Sequence, residues 1–300
     1  MYYGSIIFDT PVFAEKVISW FRYPLFLITK IIISGMNRNR RLTAALFILV
    51  ICVVAFITYQ QFNQKLPLAA EYTYQVVNKY PHDPKAFTEG LVLYNGVFYE
   101  GTGLYGESFV RTVDPETGAV LNQVDLPPEY FGEGVTILND VVYQLTWKEH
   151  VGFTYDLNLH KIGEFSISGE GWGLSNDGRR LIMSDGTSTL SFIDPDTMNV
   201  ESTVTVTYNG EEVTWINELE YIEGVVYANI WRTDKIALID LESGNVVSWI
   251  GLTGLKSQLD NENGIDVLNG IAYDQATGKL YITGKLWPNL FEIRLVPKST

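Results

Sequence analysis

A pattern that recurs five times after residue 72 constrains the fold more than any other feature of this sequence. Each copy contains an acidic or polar residue with glycine, an apolar run, a turn, and a second run rich in tyrosine or other apolar residues. The copies, starting at Phe87, Phe131, Gly169, Ile216 and Leu268, read FTEGLVLYNGVFYEGTG, FGEGVTILNDVVYQLTW, GEGWGLSNDGRRLIMSDG, INELEYIEGVVYANIW and LNGIAYDQATGKLYITGK. Such self-similarity is the signature of a repeat architecture.

The residues between the two runs predict that each copy forms a β-hairpin. Pairs that favour tight turns separate the runs: Asn95-Gly96, Asn139-Asp140, Asp177-Gly178, Glu223-Gly224 and Thr277-Gly278. A third run and then a fourth follow the hairpin. Four short strands in a unit of about forty residues are typical of one propeller blade.

The two ends of the repeat region predict how the fold closes. The leading run YTYQVVNKY, residues 72–80, has no hairpin partner, and the last copy ends in LFEIRLV after three strands. Pairing these two runs would complete the fifth unit and remove two open edges. We therefore predict an all-β, five-bladed β-propeller over residues 66–300, preceded by an N-terminal transmembrane helix.

An apolar segment ahead of the repeats predicts a membrane anchor. Residues 42–59, LTAALFILVICVVAFITY, carry no charge and are long enough to span a bilayer as a helix. The basic residues directly before this segment are Arg38, Arg40 and Arg41. By the positive-inside rule they place the repeat domain on the periplasmic or extracellular side of the cell membrane, as a single-pass protein.

The start of the chain allows two interpretations. Residues 36–65 read as a signal anchor with its linker, and Met36 opens a complete signal-anchor start, so residues 1–35 are an extension of uncertain status. An interfacial helix over 11–34 is the alternative. We favour an uncleaved anchor because no clear small-x-small cleavage site follows the apolar segment.

Charge and cysteine content exclude several functions. The chain has 35 acidic and 21 basic residues, and residues 1–65 hold seven of the basic but only two of the acidic ones, so the repeat domain is strongly acidic. Such a domain repels a phosphate backbone, and we expect no nucleic-acid partner. Cys52, the only cysteine, lies in the apolar segment. The repeat domain therefore has no thiol nucleophile and no cysteine metal cluster. We expect it to be a monomer.

The hairpin geometry predicts a binding site at one rim. The first strand's start and the second strand's end reach the same face in every unit, and aromatic and polar residues occupy these positions. The first-strand starts hold Phe87, Glu89, Phe131, Glu133, Trp172, Asn217, Glu218 and Asn269, and the second-strand ends hold Trp147, Asp185, Trp231 and Lys285. They predict an aromatic cup with carboxylates, amides and a lysine. Ordinary core packing of the tryptophans remains open.

Nine short strings in this order resemble those of the plant-type glutaminyl-peptide cyclotransferases, the glutamine cyclotransferase family. The resemblance runs from about Tyr80 to Val296 and includes Phe87-Thr88-Glu89-Gly90-Leu91, Tyr130-Phe131-Gly132-Glu133-Gly134, Gly169-Glu170-Gly171-Trp172-Gly173, Asn217-Glu218-Leu219-Glu220-Tyr221 and Thr283-Gly284-Lys285. These enzymes are five-bladed propellers that convert the N-terminal glutamine of peptides and proteins to pyroglutamate and release ammonia. Glu89 stands where that family often has glutamine.

The resemblance also implies roles for individual residues. Glu133 is expected to be the general acid/base, with Asn217 and Lys285 as further catalytic groups beside the reacting amide. The implied substrate-binding residues are Phe87, Glu89, Phe131, Trp147, Trp172 and Trp231. The chemistry needs no cofactor, but a structural calcium ion is implied in the central channel, with ligands that the sequence does not identify.

Two other functions remain open at the level of sequence. One is a non-catalytic, membrane-anchored propeller that binds peptides or surface components. The other is a calcium-dependent propeller lactonase or esterase, in which acidic and asparagine side chains would hold the ion on the axis.

Overall fold

The computed structural model describes residues 71–298, and this part of the chain is built almost entirely of β-strands. The all-β prediction is therefore confirmed for the described residues. Within them, no helix is long and apolar enough to cross a membrane. The segments interpreted as extension and anchor, residues 1–35 and 36–65, lie outside the described residues.

The described strands form antiparallel sheets that we call meanders A to E. The chain starts with β1 (Tyr72–Pro81) and then forms meander A from β2 (Thr88–Tyr94), β3 (Val97–Thr102), β4 (Phe109–Val113) and β5 (Val120–Asp125). Meander B contains β6 (Gly132–Leu138), β7 (Val141–Thr146), β8 (Val151–Tyr155) and β9 (Lys161–Ser166). Meander C contains β10 (Leu174–Asn176), β11 (Leu181–Ser184), β12 (Thr189–Ile193) and β13 (Val200–Thr205).

A small hairpin separates meander C from the remaining strands. It is formed by β14 (Thr207–Tyr208) and β15 (Glu211–Glu212). Meander D follows with β16 (Ile216–Ile222), β17 (Val225–Ile230), β18 (Lys235–Asp240) and β19 (Val246–Gly251). After a 3-10 helix at Lys256–Gln258, meander E is built from β20 (Leu268–Asp274), β21 (Lys279–Gly284) and β22 (Asn289–Pro297), with β1 as its fourth strand.

The N-terminal strand completes the last meander. β1 pairs antiparallel with β22 from Tyr72 opposite Pro297 to Pro81 opposite Asn289. This pairing confirms the prediction that the leading run joins the last copy. One parallel bridge, between Tyr72 and Ile250, also links β1 to β19, so meanders D and E form one continuous sheet.

The predicted hairpins are all present within the described residues. The two runs of each copy pair antiparallel as β2–β3, β6–β7, β10–β11, β16–β17 and β20–β21. Asn139 and Asp140 both have positive φ, at 53° and 61°, which is the backbone of a type I′ turn. The hairpins of meanders C and E have longer connections, because Asn176 pairs with Leu181 and Asp274 pairs with Lys279.

The first strands of the meanders form a ring. β2 lies beside β6, β6 beside β10, β10 beside β16, β16 beside β20, and β20 beside β2. At equivalent places the ring carries fully buried apolar side chains, namely Leu91, Val135, Leu174, Leu219 and Ile271. Burial of each stabilises the fold by roughly 1.5–3 kcal/mol.

Glycine lets neighbouring first strands approach each other. A Cβ on Gly134 would lie 2.5 Å from the backbone nitrogen of Leu174, and one on Gly173 would lie 2.0 Å from the carbonyl oxygen of Asn217. Both distances are too short for any side chain. These glycines therefore hold the starts of three consecutive first strands together, where the candidate site lies.

Candidate active site

A break in strand register recurs where the first strands begin. Within residues 71–298 it occurs in four meanders, between Thr88 and Gly90, Gly132 and Val135, Ile216 and Leu219, and Leu268 and Ile271. A β-bulge takes a residue out of the ladder and redirects its side chain. The redirected stretches contain Glu89, Glu133, Asn217, Glu218 and Asn269.

Glu89 and Glu133 bring two carboxyl groups together in a buried position. The carboxyls share a hydrogen bond, and the Nζ atom of Lys285 lies 2.6 Å from Glu89 Oε1. Asn269 Nδ2 also donates to Glu89 Oε2, at 3.3 Å. One of two hydrogen-bonded carboxyls must carry the proton, and the lysine favours the anion on Glu89. The shared proton therefore belongs to Glu133.

The same contacts act on the acidity of the pair. Burial raises the pKa of Glu133 well above its ordinary value, and the negative charge of Glu89 raises it further. Burial also raises the pKa of Glu89, but the charge and the hydrogen bond of Lys285 oppose that effect. These effects favour a pair that shares one proton and carries one negative charge, with Lys285 as counter-ion.

The backbone fixes Lys285 at the end of β21. Its N–H donates to the carbonyl of Val267, and its own carbonyl accepts from Asp266 N, both at 2.9 Å. The ammonium group also lies 4.7 Å from the centre of the Phe87 ring. A cation over an aromatic face is stabilised by the ring quadrupole, so Phe87 helps to position the lysine.

Aromatic rings line the site on the side of meanders A and B. Phe131 packs against Phe87, Trp147 and Tyr105, with ring centroids 6.3, 5.5 and 5.4 Å apart. Gly103 makes room for this ring, because a Cβ there would lie 2.2 Å from Phe131 Cε1. Phe87, Phe131 and Trp147 are only partly buried, so they remain available to a ligand.

A second aromatic group is formed by three tryptophans. Trp172 and Trp231 pack edge to face at 5.8 Å, and Trp215 lies 5.2 Å from Trp231 and 6.3 Å from Trp172. Trp172 and Trp231 are partly buried, and Trp215 is exposed. Trp172 and Trp231 are therefore partly open to solvent, unlike the fully buried Trp287.

Glu170 connects the two aromatic groups. Its Oε2 atom accepts hydrogen bonds from the indole N–H groups of Trp147, at 2.8 Å, and Trp172, at 3.0 Å. Burial opposes the charged form, but these two bonds and the nearby Lys148 hold the pKa of Glu170 below its ordinary value. Its negative charge in turn raises the pKa of Glu133.

Buried side-chain atoms without a hydrogen-bond partner occur at two of the bulges. Within residues 71–298, buried atoms without a hydrogen-bond partner are Asn217 Oδ1, Asn229 Nδ2 and Asn269 Oδ1. Leaving such a group unpaired costs about 1–3 kcal/mol. Asn217 and Asn269 are at the bulges, and Asn269 also contacts Glu89 of the carboxyl pair.

A series of contacts links Glu133, Glu89, Lys285, Phe87, Phe131, Trp147, Trp172 and Trp231, and it includes further residues. Trp215, Tyr105, Glu170 and Gly103 were not assigned a role from the sequence. Glu170 and Gly103 stand inside repeat strings, and Trp215 directly precedes Ile216-Asn217, so position in the repeat could have indicated them. Asp185, by contrast, serves a turn, since its Oδ1 accepts from Thr187 N at 3.0 Å.

The fold and the site define an all-β protein with a buried carboxyl pair beside partly exposed aromatic rings. A profile of the glutamine cyclotransferase family matches residues 47–295. The chain is 49% identical over 230 residues to a glutaminyl-peptide cyclotransferase of Arabidopsis thaliana, which covers 75% of this chain and 72% of that protein. This chain belongs to the glutamine cyclotransferase family.

A solved structure agrees with this assignment. The crystal structure of Myxococcus xanthus glutaminyl cyclase is similar with a TM-score of 0.73 and 36% sequence identity, over 77% of this chain and 100% of that one. The similarity therefore extends to the whole of that solved chain.

Proposed function

We propose that this protein is a glutaminyl-peptide cyclotransferase in which Glu133 transfers the proton. Membership of the family and 49% identity to a curated relative assign the reaction, the conversion of N-terminal glutamine to pyroglutamate. The observation that carries the mechanism is the buried hydrogen bond between Glu133 and Glu89 next to Lys285. A silent adaptor would need neither a buried proton nor its counter-ion.

The reaction requires a folded-back substrate. The neutral α-amine of the N-terminal glutamine attacks the carbon of its own γ-amide, so the new C–N bond closes a five-membered ring. Because the nucleophile belongs to the substrate, the protein contributes mainly by holding the reacting atoms together. The partly exposed rings of Phe131, Trp147, Trp172 and Trp231 are suited to enclose the folded glutamine side chain.

Glu133 balances the protons of the reaction. The attacking amine gives up one proton as the ring forms, and the leaving amide nitrogen must gain one to depart as ammonia. A carboxyl that carries a proton can give it to the leaving nitrogen and take the proton of the amine. The C–NH2 bond then breaks, and the carboxyl pair returns to its starting state with one proton.

Asn217 and Lys285 are proposed to act on the amide oxygen, which becomes negative when the amine attacks. The ammonium group of Lys285 has three donors and uses one on Glu89. The remaining donors, with the amide of Asn217, are suited to stabilise that developing charge. Asn217 Oδ1 is free to accept from a substrate N–H group.

An ammonia assay tests the function. The purified chain is incubated with a peptide that begins with glutamine, with and without a chelator, and with a lactone or ester in parallel. We expect release of ammonia that the chelator does not abolish. Absence of ammonia would favour the adaptor, and chelator-sensitive ester cleavage would favour the calcium-dependent hydrolase.

We propose that the meanders are the blades of a five-bladed propeller. Two observations support this arrangement: the ring of neighbouring first strands, and the completion of meander E by β1. In such an array the first strands line the axis, and the rim carries the site. We expect the isolated protein to be a monomer, which its mass in solution would test.

A structural calcium ion is a further proposal. Glu218 is fully buried, and its oxygens accept from the backbone N–H groups of Leu91, at 3.3 Å, and Ile271, at 2.9 Å. Burial raises the pKa of Glu218 well above its ordinary value, so a hard cation would supply a missing counter-charge. Within residues 71–298 no three acidic or histidine side chains form a metal site, so backbone carbonyls would have to complete the coordination. A thermal shift with calcium that Glu218→Gln abolishes would support it.

We also propose that the enzyme domain lies outside the cytoplasmic membrane, held by the apolar segment at residues 42–59. The arginines before that segment support this orientation. A reporter fused after Thr300 that is active only on the extracytoplasmic side is the expected result. A reporter active only in the cytoplasm would contradict the proposal.

A further inference from the structure

Trp215 is an exposed aromatic residue at the edge of the site. Among residues 71–298, Trp215 and Tyr105 are the residues of the types Trp, Tyr and Phe that are more than half exposed, each at 51%. Both pack against rings of the site, Trp215 against Trp231 at 5.2 Å and Tyr105 against Phe131 at 5.4 Å. The two large rings therefore extend the aromatic lining outward into solvent.

The backbone of Trp215 is held in an unfavourable conformation. Its φ is 65°, a left-handed value that is a true outlier for a bulky residue. Two hydrogen bonds fix it, from Trp215 N to the Gly186 carbonyl at 2.8 Å and from Trp231 N to the Trp215 carbonyl at 2.9 Å. Strain of this kind persists where the surroundings impose it, and it concentrates at ligand sites.

The hairpin before Trp215 is anchored on both sides. Ser188 Oγ donates to Glu212 Oε2 at 2.7 Å, which ties β15 to meander C. Thr207 N donates to the Gly244 carbonyl at 3.0 Å, which ties β14 to meander D. Trp215 thus leaves a fixed hairpin and directly precedes β16, two residues before Asn217, so its backbone is held in place by the fold.

We infer that Trp215 binds the side chain of the second residue of the substrate peptide and favours peptides in which that residue is aromatic or apolar. The inference rests on the proposed cyclotransferase function. Consecutive Cα atoms are about 3.8 Å apart, so when the terminal glutamine lies beside the carboxyl pair and the aromatic rings, the next residue lies just outside them, towards the exposed Trp215. Trp215 packs against Trp231 and Trp172 at the exposed edge of the site. Its indole offers apolar area to the side chain of that second residue.

The experiment compares substrates with and without a second side chain. The full chain and its Trp215→Ala and Trp215→Phe variants are assayed for ammonia release from glutamine amide, Gln-Ala amide and Gln-Phe amide. Tyr208→Ala is the matched control, because Tyr208 is an exposed aromatic on the same hairpin that packs edge-on against Trp249, outside the site.

We expect Trp215→Ala to raise the KM for Gln-Phe amide about five- to tenfold, the equivalent of one aromatic contact. KM for glutamine amide and kcat for all substrates should stay within about twofold of wild type. Trp215→Phe should recover most of the preference for Gln-Phe amide over glutamine amide. Tyr208→Ala should leave KM and kcat for all three substrates unchanged.

Two results would overturn the inference. If Trp215→Ala affects glutamine amide and Gln-Phe amide equally, or neither, Trp215 has only a structural role, although the cyclotransferase function stands. If the wild-type chain releases no ammonia from any of these substrates, both the function and the inference fall.

Discussion

Two buried carboxyls compete for the role of proton shuttle, and their contacts separate them. Lys285 forms an ion pair with Glu89 at 2.6 Å, which favours an anion there, whereas burial and the charge of Glu89 favour the neutral acid at Glu133. A residue that must give and then take a proton needs such a raised pKa. The preference for Glu133 therefore follows from the position of the lysine.

Replacement of Glu133 tests this assignment. Glu133→Gln keeps the shape and the hydrogen bonds but cannot transfer a proton, so kcat for a Gln-peptide should fall by on the order of 10²–10⁴. Glu89→Gln is the matched control and should reduce kcat far less. Near-normal turnover in Glu133→Gln, combined with loss of turnover in Glu89→Gln, would assign the shuttle to the other carboxyl.

The pH dependence of Glu89→Gln is a separate prediction. After burial, the negative charge of Glu89 is the next cause that raises the pKa of Glu133, and Lys285 acts in the opposite direction. Removing the charge at Glu89 leaves the lysine unopposed, so the pKa of Glu133 should fall. The part of the pH profile of kcat/KM that reflects the ionisation of Glu133 should therefore move to lower pH. An unchanged profile would show that the two carboxyls are not coupled.

At the scale of strands and loops, the tryptophans test whether the aromatic lining serves the ligand or the fold. Trp172 and Trp231 are partly exposed, so Trp172→Ala or Trp231→Ala should impair Gln-peptide turnover and leave unfolding cooperative. Trp287 is the matched control: it is fully buried, and Trp287→Ala should cost about 3–5 kcal/mol of unfolding free energy. Loss of cooperative unfolding in the first two variants would identify them as core residues.

The connection between β1 and β2 carries a buried ionic network. His82 contacts the Trp287 carbonyl through Nδ1 at 2.6 Å and Glu100 through Nε2 at 2.9 Å. Arg111 binds the other oxygen of Glu100 at 2.8 Å. Two acceptors around one ring require the doubly protonated form, so the charged histidine holds the loop that contains Trp287.

This network predicts how stability depends on pH. Burial disfavours the charged ring, but the carboxylate of Glu100 outweighs it and raises the pKa of His82. The contribution of charged His82 to the unfolding free energy is fully present below the ordinary pKa of histidine. It is lost as the pH rises through the raised pKa of His82. The unfolding free energy of wild type should therefore decrease over that range, and that of His82→Gln should not. Parallel curves would contradict the prediction.

Sequence alone predicts the strands of this fold better than its site. Turn pairs such as Asn139-Asp140 identify the hairpins because their backbone requirement is local. The bulges at Glu133 and Asn217 depend on the pairing of two strands, which no local signal encodes. Trp215 and Glu170 stand at recognisable places in the repeat, but the contacts that bring them to the site, of Trp215 with Trp231 and of Glu170 with Trp147, join residues distant in sequence.

At the scale of the described domain, residues 71–298, the site exists only when the ring is closed. Glu89 comes from meander A, Glu133 from meander B, Trp172 from the start of meander C, Asn217 from meander D and Lys285 from meander E. The ion pair of Lys285 with Glu89 joins the last meander to the first. Folding and activity should therefore be lost together when the closure fails.

Removal of the closing strand tests this coupling. A chain that starts at residue 71 retains β1, whereas one that starts at residue 82 leaves β22 with an unpaired edge and removes the buried Tyr72. We expect the first to unfold cooperatively and to cyclise a Gln-peptide at the full-length rate. The second should lose both properties and tend to aggregate through the open edge. Tyr72→Ala in the longer chain keeps β1 but should lower the unfolding free energy by about 3 kcal/mol. This variant separates the effect of side-chain packing from the effect of strand pairing. If the shorter chain keeps its activity and its unfolding midpoint, closure by β1 is not required for the site.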